Sequence, residues 1–222
     1  MREHKRMMAM VKKSIGIVIT LMALFACSEH PKEQQAVEKD QAERADQAQA
    51  ASGLTFSDMP NEQTTYATIE TDSTDENEAL LLALETRLLK ANFEFIEKDS
   101  GSSWSENDCT LNKVIQVKGE GIRSYKAVSK EKLGDDQQYR PDFVLLVFSF
   151  KDEAAAEQSF KMLESAVNSA GGYCNGKSPE NIVRNGNEIF YFTTRAEMFR
   201  TYIDDYAKFI HEFKPEQSDS NI

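Results

Sequence analysis

The chain has 222 residues, of which 26 are lysine or arginine and 37 are aspartate or glutamate, so its formal net charge at pH 7 is −11. A chain this acidic is a poor nucleic-acid binder, because phosphate contacts require clustered basic residues. Its charge also repels an anionic membrane surface. The composition therefore argues against nucleic-acid partners and against membrane attachment through the protein surface itself.

The first 26 residues have the organisation of a secretory signal. Basic residues precede an apolar run over residues 15–26, and acid-rich sequence follows directly. The run is shorter than the roughly 20 residues that a bilayer-spanning helix needs. We therefore expect residues 1–26 to be a cleaved signal peptide rather than a retained membrane span.

The end of the apolar run, Leu24-Phe25-Ala26-Cys27, resembles the lipobox of bacterial lipoproteins. This resemblance covers residues 1–28 only. It implies cleavage before Cys27, acylation of that cysteine and a membrane anchor made of several acyl chains. It also implies a cell-envelope location, and Ser28, which is not the aspartate that retains lipoproteins at the inner membrane, favours the outer membrane facing the periplasm. An ordinary cleaved signal with an incidental cysteine is the alternative.

Removal of residues 1–26 takes away five basic residues and one acidic residue, which leaves a net charge of about −15. Residues 27–72 contain too few bulky apolar side chains to bury a core. We predict that they form a lipidated cysteine and a disordered acidic tether. The folded domain is predicted over residues 73–214, followed by a disordered tail at 215–222.

Cys109 and Cys174 remain once Cys27 carries lipid. Exported proteins fold where thiols are commonly oxidised, so the pair predicts one disulfide. Two free buried thiols and a shared metal ion are the alternatives.

The folded part is predicted to open with a helix. Ser73-Thr-Asp-Glu76 has the spacing of a capping box, and apolar residues at helical spacing continue to about Lys98. Residues 99–108, rich in serine, are expected to form a loop.

Strands are predicted next. Leu111–Lys118 and Ile122–Ser129 flank Gly119-Glu120-Gly121, a pattern typical of a β-hairpin. The almost wholly apolar run Phe143–Phe150 predicts a central strand covered on both faces.

The remaining elements have clear local signals. Asp152 is expected to cap a helix that stops at Gly171-Gly172. Asn185-Gly186 predicts a hairpin between two short strands. Thr194-Arg-Ala-Glu197 has the spacing of a second capping box, which would open a final helix with one aromatic face.

This order of elements predicts an α+β fold, a single domain in which an antiparallel sheet packs against helices. The closing strand-helix-strand-helix order is similar to half of a ferredoxin-like arrangement. Likeness of that kind carries no function.

Gly171-Gly-Tyr-Cys-Asn-Gly-Lys-Ser178 fits the phosphate-binding pattern GxxxxGK[ST]. That chemistry needs a strand before the loop and a helix N-terminus after it. Here a helix is predicted before the loop, and Pro179 follows it. We interpret the segment as a glycine-rich helix exit and predict no nucleotide binding.

No catalytic constellation emerges. His211 is the only histidine of the folded part, so neither a metal site nor a cofactor is expected. The many carboxylates are interpreted as solvated surface. Trp104, which lies among small polar residues near Cys109, is a possible interaction residue if exposed, although burial as a lid over the core is favoured.

We therefore hypothesise a non-catalytic envelope lipoprotein whose domain binds another envelope protein. One alternative is a small carboxylate-dependent hydrolase, which would need a deep cleft with convergent titratable groups. Another is a protective inhibitor or immunity-type lipoprotein, whose acidic surface would suit a basic partner.

Overall fold

A computed structural model describes residues 54–74, 77–98, 103–133, 138–176 and 178–214. Cys27, the signal sequence and the tail from residue 215 onward lie outside these residues. The described helices are α1 (Glu78–Lys90), α2 (Glu153–Val167) and α3 (Arg200–Glu212). The described strands are β1 (Thr65–Thr71), β2 (Phe93–Lys98), β3 (Ser103–Asp108), β4 (Lys113–Gly119), β5 (Ile122–Ser129), β6 (Asp142–Ser149), β7 (Glu180–Asn185) and β8 (Glu188–Thr193).

The strands form two sheets, one of three strands in the order β1-β4-β3 and one of five in the order β2-β5-β6-β8-β7. All neighbouring strands are antiparallel except β1 and β4, which run parallel. The α+β class is as predicted, but the domain has two sheets rather than one. None of the helices in the described part of the chain is long and apolar enough to cross a membrane.

Each face of the five-stranded sheet buries its own core. Helices α1 and α3 cover one face, while α2 and the three-stranded sheet cover the other. Full burial of one large apolar side chain stabilises the fold by about 2 kcal/mol. Buried members of the first core include Leu84, Leu88, Phe143, Phe190 and Phe192, and those of the second include Ile115, Phe148, Phe150, Leu163 and Ile189.

The fold begins earlier than predicted. Residues 54–72, assigned to the tether from sequence, include strand β1, whose Ile69 is buried in the second core. That part of the prediction is wrong. Most β1 side chains are polar and exposed, so its strand conformation depends on backbone pairing with β4, more than 40 residues later.

The predicted helix from Ser73 to Lys98 is wrong at both ends. Helix α1 begins at Glu78, and its preceding residue Asn77 makes no side-chain cap. The helix ends at Lys90, and Asn92 turns the chain with a φ of 59°. The apolar residues that follow form β2 because β5 supplies a strand partner, which helical spacing alone does not reveal.

The segment between Lys98 and Ile122 also differs from expectation. Residues 103–108, predicted as loop, form β3 and pair with β4. Strands β4 and β5 exist, but they belong to different sheets, so the predicted hairpin is wrong. Gly119 and Gly121 lie against the backbone at the end of β1, where a Cβ on either glycine would come within 2.3 Å of a carbonyl oxygen. These glycines let the chain cross between the two sheets.

Several local predictions are confirmed. Strand β6 is the centre of its sheet, and Asp152 caps α2 by accepting the Ala155 N–H at 2.8 Å. Strands β7 and β8 form the hairpin predicted from Asn185-Gly186. The second capping box is not formed, because the Thr194 hydroxyl donates to the Asp142 carbonyl and α3 begins later.

Candidate protein-docking surface

The predicted disulfide between Cys109 and Cys174 is present, with Cα atoms 5.6 Å apart. It ties the end of β3 to the turn after α2. The side chain of Asn175 reinforces this corner, since its Oδ1 accepts the Asn107 N–H at 3.1 Å and its Nδ2 donates to the Asn107 carbonyl at 3.0 Å. The disulfide therefore holds the end of β3 against the turn after α2, in agreement with the predicted pairing.

Trp104 lies on β3 and is partly buried between the two sheets. Its ring centroid is 5.2 Å from that of Phe148 and 4.7 Å from that of Tyr191. The Trp104 ring therefore covers the second core, as the favoured sequence prediction had it. The surface proposed for docking does not include Trp104.

Three ionisable side chains meet beside Trp104. Glu106 of β3 and Glu180 of β7 approach Tyr191, whose hydroxyl donates to Oε1 of Glu180 at 2.7 Å. Burial, with a smaller contribution from the charge of Glu180, raises the pKa of Glu106 to about 9, so this carboxyl group is protonated at neutral pH. Glu106 is only 2% exposed and its Oε1 has no hydrogen-bond partner. The cluster links the two sheets, and its Glu106 carboxyl group is buried.

A second buried charge lies on the opposite face of the sheet. Glu188 is fully buried, forms an ion pair with Arg123 and accepts a hydrogen bond from the Ser149 hydroxyl at 2.7 Å. Its partners come from β5 and β6, so the pair ties three adjacent strands together.

A cleft of about 290 Å³ opens between α1 and α3. Its aromatic lining comes from Phe93, Tyr202 and Tyr206, and Arg87 and Asp205 contribute charge. Arg87 is also stacked over the ring of Phe209 at 4.9 Å. The cleft is small and mixed in charge, and it does not contain the buried carboxyl cluster.

Exposed apolar side chains gather where α1 meets β2. Leu82 and Leu89, two helical turns apart on the same side of α1, are 64% and 52% exposed. Ile96 of β2 is 37% exposed on the other face of the sheet. Phe95 of β2 stacks on Tyr125 of β5, with ring centroids 4.9 Å apart. We call these five residues the α1–β2 surface.

A groove of about 250 Å³ runs along this surface, between α1 and the edge of the sheet. Leu81, Leu82, Phe95 and Tyr125 provide its apolar lining. Two carboxylates, Glu85 of α1 and Glu97 of β2, also line it. The groove is therefore apolar with acidic sides, a combination suited to a partner that carries both apolar and basic groups.

The sequence did not predict this surface, because helical spacing of apolar residues does not show which leucines of α1 stay exposed. Leu80, Leu84 and Leu88 form the buried stripe of the helix. Leu82 and Leu89 lie outside it, and a helix with apolar residues on more than one face signals a second contact.

Three other features singled out from the sequence are the lipidation site, the glycine-rich segment and the metal-binding residues. Cys27 lies outside the described residues. The segment Gly171–Ser178 is preceded by α2 and followed by β7, so it has the element order opposite to that of a phosphate-binding loop. Among the described residues, no three histidine, cysteine, aspartate or glutamate side chains are grouped to hold a metal ion.

Comparison with known proteins assigns no relative, because no protein-family model, curated protein or solved structure matches the chain. The function is therefore inferred from the geometry and chemistry of the residues themselves.

Proposed function

We propose that this chain is a lipid-anchored lipoprotein of the bacterial cell envelope whose domain binds another envelope protein through the α1–β2 surface. The observation that carries the proposal is that Leu82 and Leu89, on one side of α1, are both more than half exposed, and that Leu82 also lines an open groove. Exposed apolar side chains grouped beside a groove are typical of a protein interface. The role proposed is binding rather than catalysis.

Export and anchoring rest on different features. The lipobox-like segment ending at Cys27 supports acylation, and Ser28 favours the outer membrane, on its periplasmic side. The Cys109–Cys174 disulfide is consistent with folding in an oxidising compartment. In this proposal the residues after Cys27 act as a tether that gives the domain reach from the membrane.

The alternatives are less well supported. A carboxylate-dependent hydrolase needs an accessible pair of acidic groups, whereas the convergent pair, Glu106 and Glu180, includes a buried carboxyl. An inhibitor of a basic envelope enzyme or toxin would use the same acidic groove, so it is a special case of the binding role.

The anchor is tested by labelling cells with a radioactive fatty acid and separating membrane from soluble protein. The full chain should carry label and sediment with membranes, while Cys27→Ser should be unlabelled and soluble. An unlabelled wild-type chain would contradict the anchoring proposal.

The surface is tested with the double substitution Leu82→Glu/Leu89→Glu. Because both side chains are solvent-exposed, the fold should keep its thermal stability while co-purification with a stoichiometric envelope partner is lost. The matched control is Tyr66→Glu, an exposed residue on the other sheet, which should leave the interaction intact. Retention of the partner by the double variant would overturn the proposed role of this surface.

A further inference from the structure

We propose that the partner binds by adding an extended strand to the outer edge of β2, and that this segment carries both apolar and basic residues on each of its faces. The inference rests on the proposed function, because it specifies how a partner protein engages the α1–β2 surface. It also names the chemistry of the segment that is bound.

The backbone pattern shows which groups of β2 are free. Lys130, just after β5, donates its N–H to the carbonyl of Asn92 at 2.8 Å, whereas the neighbouring Ser129 donates to Pro141 at the start of β6. Residues of β5 therefore alternate between β2 and β6, as an antiparallel ladder requires.

With Phe93 opposite Ser129, the same alternation applies along β2. Glu94, Ile96 and Lys98 direct their backbone groups to β5. The backbone N–H and carbonyl groups that point to the open edge belong to Phe93, Phe95 and Glu97. Among the described residues β2 is the terminal strand of its sheet, so this edge is a template for one more strand.

Apolar contacts lie on both faces of that edge. On the α1 face, the groove presents Leu82 beside the stacked pair of Phe95 and Tyr125. On the opposite face, Ile96 is exposed next to the edge. Because side chains of an extended strand alternate between faces, an added strand meets apolar surface with successive residues.

Carboxylates predominate along the edge and favour a basic partner. Glu85, Glu94 and Glu97 border it, and none forms an ion pair with another described residue. Lys98, at the end of β2, is the one basic residue of that strand. A second copy of the chain would bring the same carboxylates to the edge, and opposed like charges destabilise strand pairing. A basic segment would instead gain complementary charge, which selects a foreign partner over self-association.

The test uses the full mature chain and a fluorescent peptide that repeats Val-Val-Lys-Lys, which places valine and lysine on both faces of an extended strand. Binding is measured by fluorescence anisotropy. Glu97→Pro removes one outward N–H and leaves the bonds to β5 intact, because proline is tolerated at such an edge position. Glu97→Ala is the matched control, since it removes the same charge and keeps the N–H. Loss of that hydrogen bond should weaken binding by about tenfold relative to Glu97→Ala.

Thermal unfolding of both variants checks that the sheet is intact. Equal peptide affinity for Glu97→Pro and Glu97→Ala would overturn strand addition, as would no binding to the wild-type chain. Equal affinity for a peptide with glutamate in place of lysine would overturn the charge assignment.

A separate readout distinguishes this inference from the proposed function. If Glu97→Pro still retains the envelope partner in cells and Leu82→Glu/Leu89→Glu does not, the surface binds a partner by some mode other than strand addition. If Leu82→Glu/Leu89→Glu also retains the partner, the proposed function itself fails.

Discussion

The ring of Trp104 lies 4.7 Å from the ring of Tyr191, so the only tryptophan of the chain joins the three-stranded sheet to the five-stranded sheet. Their strands, β3 and β8, are far apart in sequence and belong to different sheets. The contact lies beside the buried carboxyl group of Glu106. Aromatic packing and a protonated acid therefore hold the two sheets together at one place.

Trp104→Ala should lower the free energy of unfolding by about 3 kcal/mol, because it removes a large aromatic side chain packed between the sheets. Urea unfolding followed by circular dichroism measures the change. The comparison is Tyr66→Ala, which removes an exposed ring and should change stability by less than about 0.5 kcal/mol. A Trp104 variant as stable as the Tyr66 variant would refute the lid assignment.

Loss of the disulfide should also be costly. The bond joins residues 65 positions apart, and on the chain-entropy model it stabilises the fold by about 4 kcal/mol. Cys109→Ser/Cys174→Ser should therefore melt well below the oxidised wild-type chain, and a reductant should lower only the wild-type melting temperature. If the reductant left the melting temperature of the wild-type chain unchanged, the disulfide would not be formed in the folded protein.

Glu106 makes stability depend on pH with a definite sign. Its pKa is about 9 in the folded protein against an ordinary value of 4.5, so the folded state holds a proton that the unfolded state releases between these values. Stability from this group is complete below about pH 4.5 and is lost as the pH rises towards 9. Glu106→Gln does not titrate, so wild type should lose stability relative to this variant over that range.

Urea unfolding of the two proteins at several pH values between about 5 and 9 makes the comparison. Glu180 is present in both, so its own titration largely cancels. A stability difference that does not change with pH would show that Glu106 is ionised in the folded protein.

The buried pair of Arg123 and Glu188 predicts non-additive mutations. Arg123→Met leaves the carboxylate of Glu188 buried without its cation and should destabilise the fold by about 3 kcal/mol. Adding Glu188→Gln removes the unpaired buried charge and keeps an oxygen that accepts the hydrogen bond from Ser149. The double variant should therefore recover part of the lost free energy of unfolding. A double variant less stable than Arg123→Met would contradict this account.

The elements predicted well from sequence are those whose signals are local. Asp152 caps α2 and Asn185-Gly186 turns the β7–β8 hairpin because each depends on residues within a few positions. Strands β1 and β2 were missed since each requires a partner strand more than 25 residues away. Non-local pairing also explains why β4 and β5 do not form the predicted hairpin, since β4 pairs with β1 and β3 while β5 pairs with β2 and β6.

The candidate site was only partly accessible to sequence reasoning. The disulfide followed from the number of cysteines and the expected compartment. The α1–β2 surface did not, because it depends on β2 being the terminal strand and on which leucines of α1 stay exposed. Sheet order and exposure are properties of the assembled fold.

The most direct test of the central claim is site-specific photo-crosslinking of the anchored full-length chain in cells. A photoreactive residue at position 82 or 89 of the α1–β2 surface should give one discrete adduct with an envelope protein, while the same residue at position 66 should give none. The adduct should disappear when Cys27→Ser releases the chain from the membrane. No adduct from positions 82 and 89, or the same adducts from position 66, would contradict the account.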